Sequence, residues 1–396
     1  MFFWGKPDTH GIILDVTSAS VGASVVRFSR TRPPHVLHSL RLPLAVTEKV
    51  SASSHFAAVQ KQLDVLLARL HHLDYWHRRI LSGRRPKIDQ IHVMVSSPWY
   101  VSQTKTINVT KSRRFNLSLS FLKDLQKSEE KAILAENASS ILKNGHFIEN
   151  NVIQVRIRGY KIENYLNKST TEAQVSLYTS AISNLFMKEI GSVVEKYFTV
   201  GTTSFHTAPL ALFSVIRDTY PQNDDFIYLD VSAEQTELHI VKDDLLIETI
   251  SIPIGKNFFL RRLATDLKLS LPLAESTLNL FLLKNTSTEM TAKVTESFDR
   301  SLAEWKESFS VVVDKIVKEV FIPRTLFINA DDHFTGRVAE TLDHTSADTT
   351  GFIDVKYEII RYSRSRLDKQ YEAVPTGRPD LRLGFQIVFL DRINKQ

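Results

Sequence analysis

The chain has 396 residues, of which 43% are hydrophobic and 24% charged, with a net charge of +6 at pH 7. This length and balance predict a globular protein of two or more domains. The chain lacks cysteine, which excludes disulfides and thiolate metal sites, and its thirteen histidines show no HExxH spacing. The thirteen glycines are few, because average usage would give roughly 28, and this argues against several glycine-rich phosphate loops.

The first part of the chain predicts a sheet with one helix. Residues 11–28 form a strand–turn–strand unit, and residues 37–44 add a third strand. Apolar residues at helical spacing predict a helix over 56–73, and a short apolar run predicts a strand over 91–95.

A more polar block follows and predicts a small inserted domain. Strands over 101–109, 151–157 and 172–178 surround a helix over 118–142. This mixture of strands and one helix, placed between two parts of a larger sheet, indicates an α+β insertion.

The second half repeats the organisation of the first. Helices over 181–197 and 207–220 end at the polar segment 221–225, which marks a boundary. The elements predicted after it are strands over 226–231, 237–241 and 245–254, helices over 258–269, 273–284 and 289–320, a strand over 326–329, a helix over 335–342 and strands near 354–360.

Two matching segments, 215 positions apart, are the most informative feature of the chain. Ile13–Ser18 recurs as Tyr228–Ala233: each ends an apolar run in Asp, passes a small hydroxyl residue and resumes as a strand. A hairpin with an acid at its turn, used twice, predicts two related lobes that face each other across a cleft.

The order of these elements resembles the FtsA and PilM branch of the actin-like proteins, which are bacterial scaffolds for cell division and type IV pilus assembly. The resemblance covers about residues 10–390 and rests on Gly11–Ser18, Leu229–Leu238 and Leu326–Asp331. It implies an α/β protein with the actin-like (ribonuclease H-like) two-lobe fold, in which duplicated mixed sheets are flanked by helices and a small α+β (SHS2-like) domain is inserted.

The expected domains follow this resemblance along the chain. They are the first lobe (1–97), the inserted domain (98–170), the first lobe again (171–222), the second lobe (223–257), its helical subdomain (258–321), the second lobe continued (322–373) and a return to the first lobe (374–396).

The resemblance also implies where a magnesium nucleotide would bind. In an active relative, Asp15 and Asp230 would coordinate Mg²⁺ and position a water molecule. The remaining cofactor-binding candidates are Thr17, Ser18, Ser232, Ala233, Thr236 and Ala330.

The chain departs from the family pattern at the functional glycines. Thr17 and Ser232 stand at glycine positions, where a Cβ fills space near the phosphate, and Ala330 replaces a glycine at the adenosine position. Glu234 adds an acid that would repel a triphosphate.

Two interpretations of this site stay open. The acids and hydroxyls either form a weak Mg-ATP site, or they are inherited turn residues that bond to backbone N–H groups. The second interpretation is preferred, because the loss of glycine is consistent across the motifs.

The preferred functional hypothesis is a non-catalytic scaffold, most like a PilM-type pilus assembly protein, with no cofactor or with weak Mg-ATP binding. It would be cytoplasmic and peripheral to the inner membrane, where the cytoplasmic tail of a pilus or division protein recruits it. Self-association is a further option, whereas no nucleic-acid partner and no transmembrane segment are expected. The alternative is an FtsA-like division protein or an ATP-dependent polymerising actin homologue with a working Mg-ATP site.

Some segments carry two interpretations each. The apolar start Phe2–Trp4 fits either core packing or a partner or membrane contact, and the basic clusters at 78–87 and 361–369 fit either solvated loop ends or contact with anionic lipid or an acidic partner. The alternation over Leu381–Phe389 predicts a strand. The resemblance implies a closing helix there, and the helix is preferred.

Overall fold

A computed structural model describes residues 8–48, 51–73, 87–136, 145–317, 322–329, 332–343, 357–362 and 364–395. The strands are β1 (Thr9–Val16), β2 (Ser20–Phe28), β3 (His35–Pro43), β4 (Gln90–Val95), β5 (Tyr100–Asn116), β6 (Gly145–Ile157), β7 (Tyr160–Lys161), β8 (Ser169–Ser183), β9 (Thr202–Thr207), β10 (Phe226–Val231), β11 (Thr236–Lys242), β12 (Leu245–Ile252), β13 (Thr325–Asn329), β14 (Glu358–Tyr362) and β15 (Glu372–Ala373). The helices are α1 (Ala52–His71), α2 (Leu119–Glu136), α3 (Asn184–Glu195), α4 (Ala208–Thr219), α5 (Lys256–Leu267), α6 (Leu271–Leu282), α7 (Thr288–Val317), α8 (His333–Asp343), α9 (Arg364–Leu367) and α10 (Leu381–Lys395).

The two large sheets repeat one topology. The first has the order β15-β3-β2-β1-β4-β9 and the second the order β12-β11-β10-β13-β14. In the first sheet, β1 pairs antiparallel with β2 and parallel with β4; in the second, β10 pairs antiparallel with β11 and parallel with β13. The prediction of duplicated mixed sheets is therefore confirmed.

A hydrophobic core shared by both lobes lies between the sheets. Side chains alternate along β1, so Ile13 faces this shared core while Ile12 and Leu14 pack toward α1 and α3 on the outer face. Helices α4 and α10 contribute to the shared core, and α10 is buried from Leu381 to Leu390 except at Arg382. The preferred helical interpretation of this segment is confirmed.

The inserted domain has its own sheet of order β5-β8-β6-β7 and its own small core under α2. The domain does not end at 170 as expected, because β8 is its central strand and runs to Ser183. Helix α3 begins only after Ser183, whose hydroxyl accepts the Phe186 N–H at 3.0 Å as an N-cap. The helix predicted over 181–197 therefore starts later than expected, and Ala181 and Ile182 belong to β8.

Further differences concern single elements. Strand β9 was not predicted, because Thr202–Thr207 is a polar edge strand without apolar alternation. The segments 1–7, 74–86 and 330–331 lie outside the described residues, and with them the expectations for Phe2–Trp4, most of the first basic cluster and Ala330. Among the described residues, no helix is long and apolar enough to cross a membrane.

Candidate functional site

The two matching segments meet across the cleft between the lobes. The turn after β1 presents Ser18 and the turn after β10 presents Ser232, and their hydroxyl oxygens lie 2.7 Å apart. Both turns follow the strands that carry Asp15 and Asp230. The structure therefore brings these four predicted residues together.

Asp15 is fully buried, and side chains of this chain hold both of its carboxylate oxygens. Gln386 Nε2 donates to Oδ1 at 2.6 Å, and Arg41 Nη2 donates to Oδ2 at 2.8 Å. Arg382 Nε lies 3.1 Å from the same Oδ2. A buried carboxylate needs such partners, because desolvation without them is costly.

Arg382 links the acids of the two lobes. Its Nη1 donates to Asp230 Oδ2 at 2.7 Å, and its Nη2 donates to the hydroxyl of Ser96. Burial lowers the pKa of Arg382, but Asp230 and Asp15 outweigh this and hold it above its ordinary value. Burial likewise raises the pKa of Asp230, and Arg382 outweighs it so that this pKa is lowered. One guanidinium thus stands between the two carboxylates that the resemblance assigns to Mg²⁺.

A second arginine completes the charge cluster. Arg41 Nε donates to Asp380 Oδ2 at 2.8 Å, and its Nη1 donates to Ser20 Oγ at 2.8 Å. The guanidinium lies over Gly22 of the neighbouring strand, where a Cβ would come within 2.8 Å of Cζ. The glycine at this position gives Arg41 the room to reach Asp15.

The backbone groups of the turns bond to the protein itself. Thr17 Oγ1 accepts the N–H of Ala19 at 3.0 Å and of Ser20 at 2.9 Å. At the second turn, the Lys256 N–H donates to Ser232 O at 3.0 Å and the Asn257 N–H donates to Ala233 O at 2.8 Å. Helix α5 therefore begins with N–H groups that already have carbonyl partners, although such groups are the usual phosphate ligands.

Thr236 and Glu234 also have partners inside the second lobe. The Thr236 hydroxyl donates to Ile254 O at 2.7 Å and accepts the buried Trp305 indole N–H at 3.0 Å. Glu234 Oε2 pairs with Arg261 Nη2 at 2.7 Å. Thr236 thus joins the second turn to helix α7.

In this arrangement the candidate nucleotide-binding groups bond to the chain itself. Both acids already neutralise Arg382, and the turn N–H groups named above bond to oxygens of the chain. Within the described ranges, no group of three or more His, Asp or Glu residues could hold a metal ion. Arg41, Arg382 and Gln386 were not predicted from the sequence. The last two had a signal, because an arginine and a glutamine, one helical turn apart, interrupt the apolar run of α10.

Glu237 links the second lobe to the inserted domain. Its Oε1 accepts the hydroxyl proton of Tyr100, the first residue of β5, at 2.9 Å. Burial, with Asp230 as a second cause, raises the pKa of Glu237 from 4.5 to about 7.

This pKa predicts a pH-dependent stability. Because the folded-state pKa is the higher one, the stabilisation is fully present below pH 4.5 and is lost as pH rises through about 7. Glutamine cannot ionise, so Glu237→Gln does not lose this stabilisation. We expect the difference in unfolding free energy between Glu237→Gln and the parent protein to shift by roughly 2–3 kcal/mol in favour of the variant when the pH rises from about 5 to about 8. Urea unfolding at both pH values measures this. Glu340→Gln, at an exposed carboxylate, is the control; an equal Glu237→Gln difference at both pH values would contradict the assignment.

No protein-family model matches the sequence, and no curated protein matches it. Solved structures do match nearly the whole chain. A chain of the PilM–PilN type IV pilus biogenesis complex superposes with a TM-score of 0.63 at 13% identity, covering 98% of this chain and 100% of that one. EutJ, an ethanolamine utilization protein from Carboxydothermus hydrogenoformans, gives a TM-score of 0.45 at 10% identity, covering 97% and 90%. A Bacteroides thetaiotaomicron protein of actin-like ATPase fold gives 0.42 at 8%, covering 98% of each chain. The pilus structure confirms that this chain has the predicted actin-like fold.

Proposed function

We propose that this chain is an actin-like scaffold, most like a PilM-type pilus assembly protein, that works without Mg-ATP or binds it weakly. In this proposal the protein acts at the cytoplasmic face of the inner membrane. The cytoplasmic tail of a membrane protein recruits it, and the two lobes keep one relative position with no nucleotide between them.

The observation that carries the proposal is the position of Arg382. Its guanidinium pairs with Asp15 at 3.1 Å and with Asp230 at 2.7 Å, so it neutralises the acids of both lobes at once. An arginine stays charged at every physiological pH, and its planar fork can pair with two carboxylates. A guanidinium supplied by the chain therefore takes the bridging role that a divalent cation would have.

The similarity in fold supports the choice of partner class. One matching solved structure is the PilM–PilN type IV pilus biogenesis complex. A peptide from the cytoplasmic tail of a pilus inner-membrane protein is therefore the first candidate partner. A pull-down with such peptides, beside peptides from division proteins, separates the pilus and division alternatives.

Calorimetric titration with Mg-ATP tests the loss of nucleotide binding. We expect no saturable heat at millimolar nucleotide, because a ligand would have to displace Arg382 from the buried Asp15 and the partly buried Asp230. The control is Asp15→Ala, checked for folding by circular dichroism. Saturable binding that Asp15→Ala abolishes would contradict the proposal and favour an ATP-dependent polymerising actin homologue.

A further inference from the structure

The positive charge of the chain is concentrated in the inserted domain. Residues 98–183 contain twelve Lys and Arg against seven Asp and Glu, whereas the rest of the chain is nearly balanced. Neither basic cluster singled out from the sequence lies in this domain. The net charge of +6 is thus a property of one small domain more than of the whole surface.

Five of the exposed cations lie at the end of this domain farthest from the first lobe. Strand β8 runs from Ser169 at that end to Ser183 at the base, a span of roughly 45 Å. Strand β5 loses its pairing with β8 between Thr110 and Phe115, and β6 ends close by at the same level. The cations at this end, which we call the basic tip, are Lys111, Arg113, Arg114, Arg158 and Lys168.

The cations of the basic tip have no acidic partners in the parts of the chain that the structure describes. No Asp or Glu there forms an ion pair with any of them, while Lys161 on β7 pairs with Asp244 of the second lobe at 2.5 Å. The exposed carboxylates Glu163 and Glu172 leave the region with an excess of positive charge. Lys111 Nζ lies over the rings of Phe115 and Phe121, and Arg114 donates to Ser169 O at 3.4 Å. Because no described carboxylate pairs with the cations of the basic tip, their charge can attract an external anion.

Large apolar side chains are exposed at the same end. Tyr160 is 76% exposed at the start of β7, Leu166 is 47% exposed in the loop before β8, and Leu119 is 62% exposed at the start of α2. The loop and the helix start are adjacent, because the Asn167 N–H donates to Leu117 O at 3.0 Å. The end of the domain is therefore both basic and apolar.

We propose that the basic tip binds the surface of an anionic phospholipid bilayer. Lys and Arg are attracted to acidic headgroups, and an exposed Tyr with Leu neighbours fits the boundary between headgroups and acyl chains. Binding of single-stranded nucleic acid would use aromatic side chains stacked along a basic groove, whereas the large apolar side chains exposed here are one Tyr and two Leu. The inference goes beyond the proposed function, because it concerns a surface outside the cleft and does not depend on nucleotide.

Flotation of the full chain with vesicles tests the proposal. We expect binding to vesicles of equimolar phosphatidylcholine and phosphatidylglycerol, weaker binding at raised salt, and none to pure phosphatidylcholine. The triple variant Lys111→Glu, Arg113→Glu, Arg114→Glu should lose more than about tenfold in affinity, since each cation near the surface contributes about fivefold. Tyr160→Ser with Leu166→Ser should weaken binding without changing its salt dependence.

The matched control is Lys61→Glu, Lys188→Glu, Lys293→Glu, which makes the same charge change at exposed positions of α1, α3 and α7. It should keep most of the vesicle affinity. Equal losses in both triple variants, or no binding to the anionic vesicles, would overturn the proposal. Tighter binding to duplex DNA that only the tip variant loses would assign the surface to nucleic acid instead. None of these results bears on Mg-ATP, so the two proposals fail separately.

Discussion

Arg382→Ala is expected to lower the free energy of unfolding by about 3–5 kcal/mol at neutral pH. The substitution removes the cation that lies 3.1 Å from Asp15 and 2.7 Å from Asp230. Asp15 keeps Arg41 and Gln386 as partners, but Asp230 loses its only described ion pair. Urea unfolding followed by tryptophan fluorescence measures the loss, which should shrink in acid as the carboxylates take up protons.

Two further variants make this expectation specific to the buried charge. Arg337→Ala removes an exposed arginine that lies 3.5 Å from Glu340, and it should change stability by less than about 1 kcal/mol. Asp230→Asn in the Arg382→Ala background should recover part of the loss, because it removes an unpaired, partly buried charge. A cost below about 1 kcal/mol for Arg382→Ala would mean that water replaces the guanidinium.

Gly255→Ala is expected to destabilise the protein by about 3 kcal/mol, the upper part of the usual range for overpacking. A Cβ at this position would lie 2.5 Å from Ser232 O, Ala233 O and Gln235 N, all of which are backbone atoms. The second turn would have to move away from helix α5 and lose the bonds to its N–H groups. Thermal and urea unfolding of the variant measure this cost.

Gly191→Ala is the matched control for Gly255→Ala. Gly191 lies in helix α3, and a Cβ there would meet no atom within 4 Å. Alanine is the better helix former, so this variant should gain about 0.5–1 kcal/mol. A loss of unfolding free energy for Gly255→Ala together with a gain for Gly191→Ala would show that the loss comes from the packing of the second turn. A gain at both positions would show that the turn adjusts without strain.

The fold was largely predictable because its signals are local and occur twice. Each lobe starts with an apolar strand that ends near an acid, and each sheet places that strand beside a parallel neighbour. The alternation of Leu381, Leu383, Phe385, Ile387 and Phe389 predicted the wrong element, since this helix is buried on nearly all sides. A helix enclosed by protein needs no polar face, so its sequence loses the helical period.

The candidate site was only half predictable, because its second half comes from distant parts of the chain. Asp15, Ser18, Asp230 and Ser232 belong to the matching segments and lie together as expected. Arg382 carries no motif, and its partners become evident only when α10 lies between the sheets. An arginine within a buried helix signals that a partner exists, and the fold is needed to identify it.

The position of Arg382 has a consequence for the order of folding during synthesis. Asp15 and its partner Arg382 are 367 positions apart. At about 5–20 residues per second, a ribosome needs tens of seconds between making the first strand and the helix that neutralises its acid. The first lobe therefore emerges with Asp15 unpaired by Arg382, and contacts at such separation are slow to form. We expect the nascent first lobe to stay open, and accessible to chaperones, until α10 has left the ribosome.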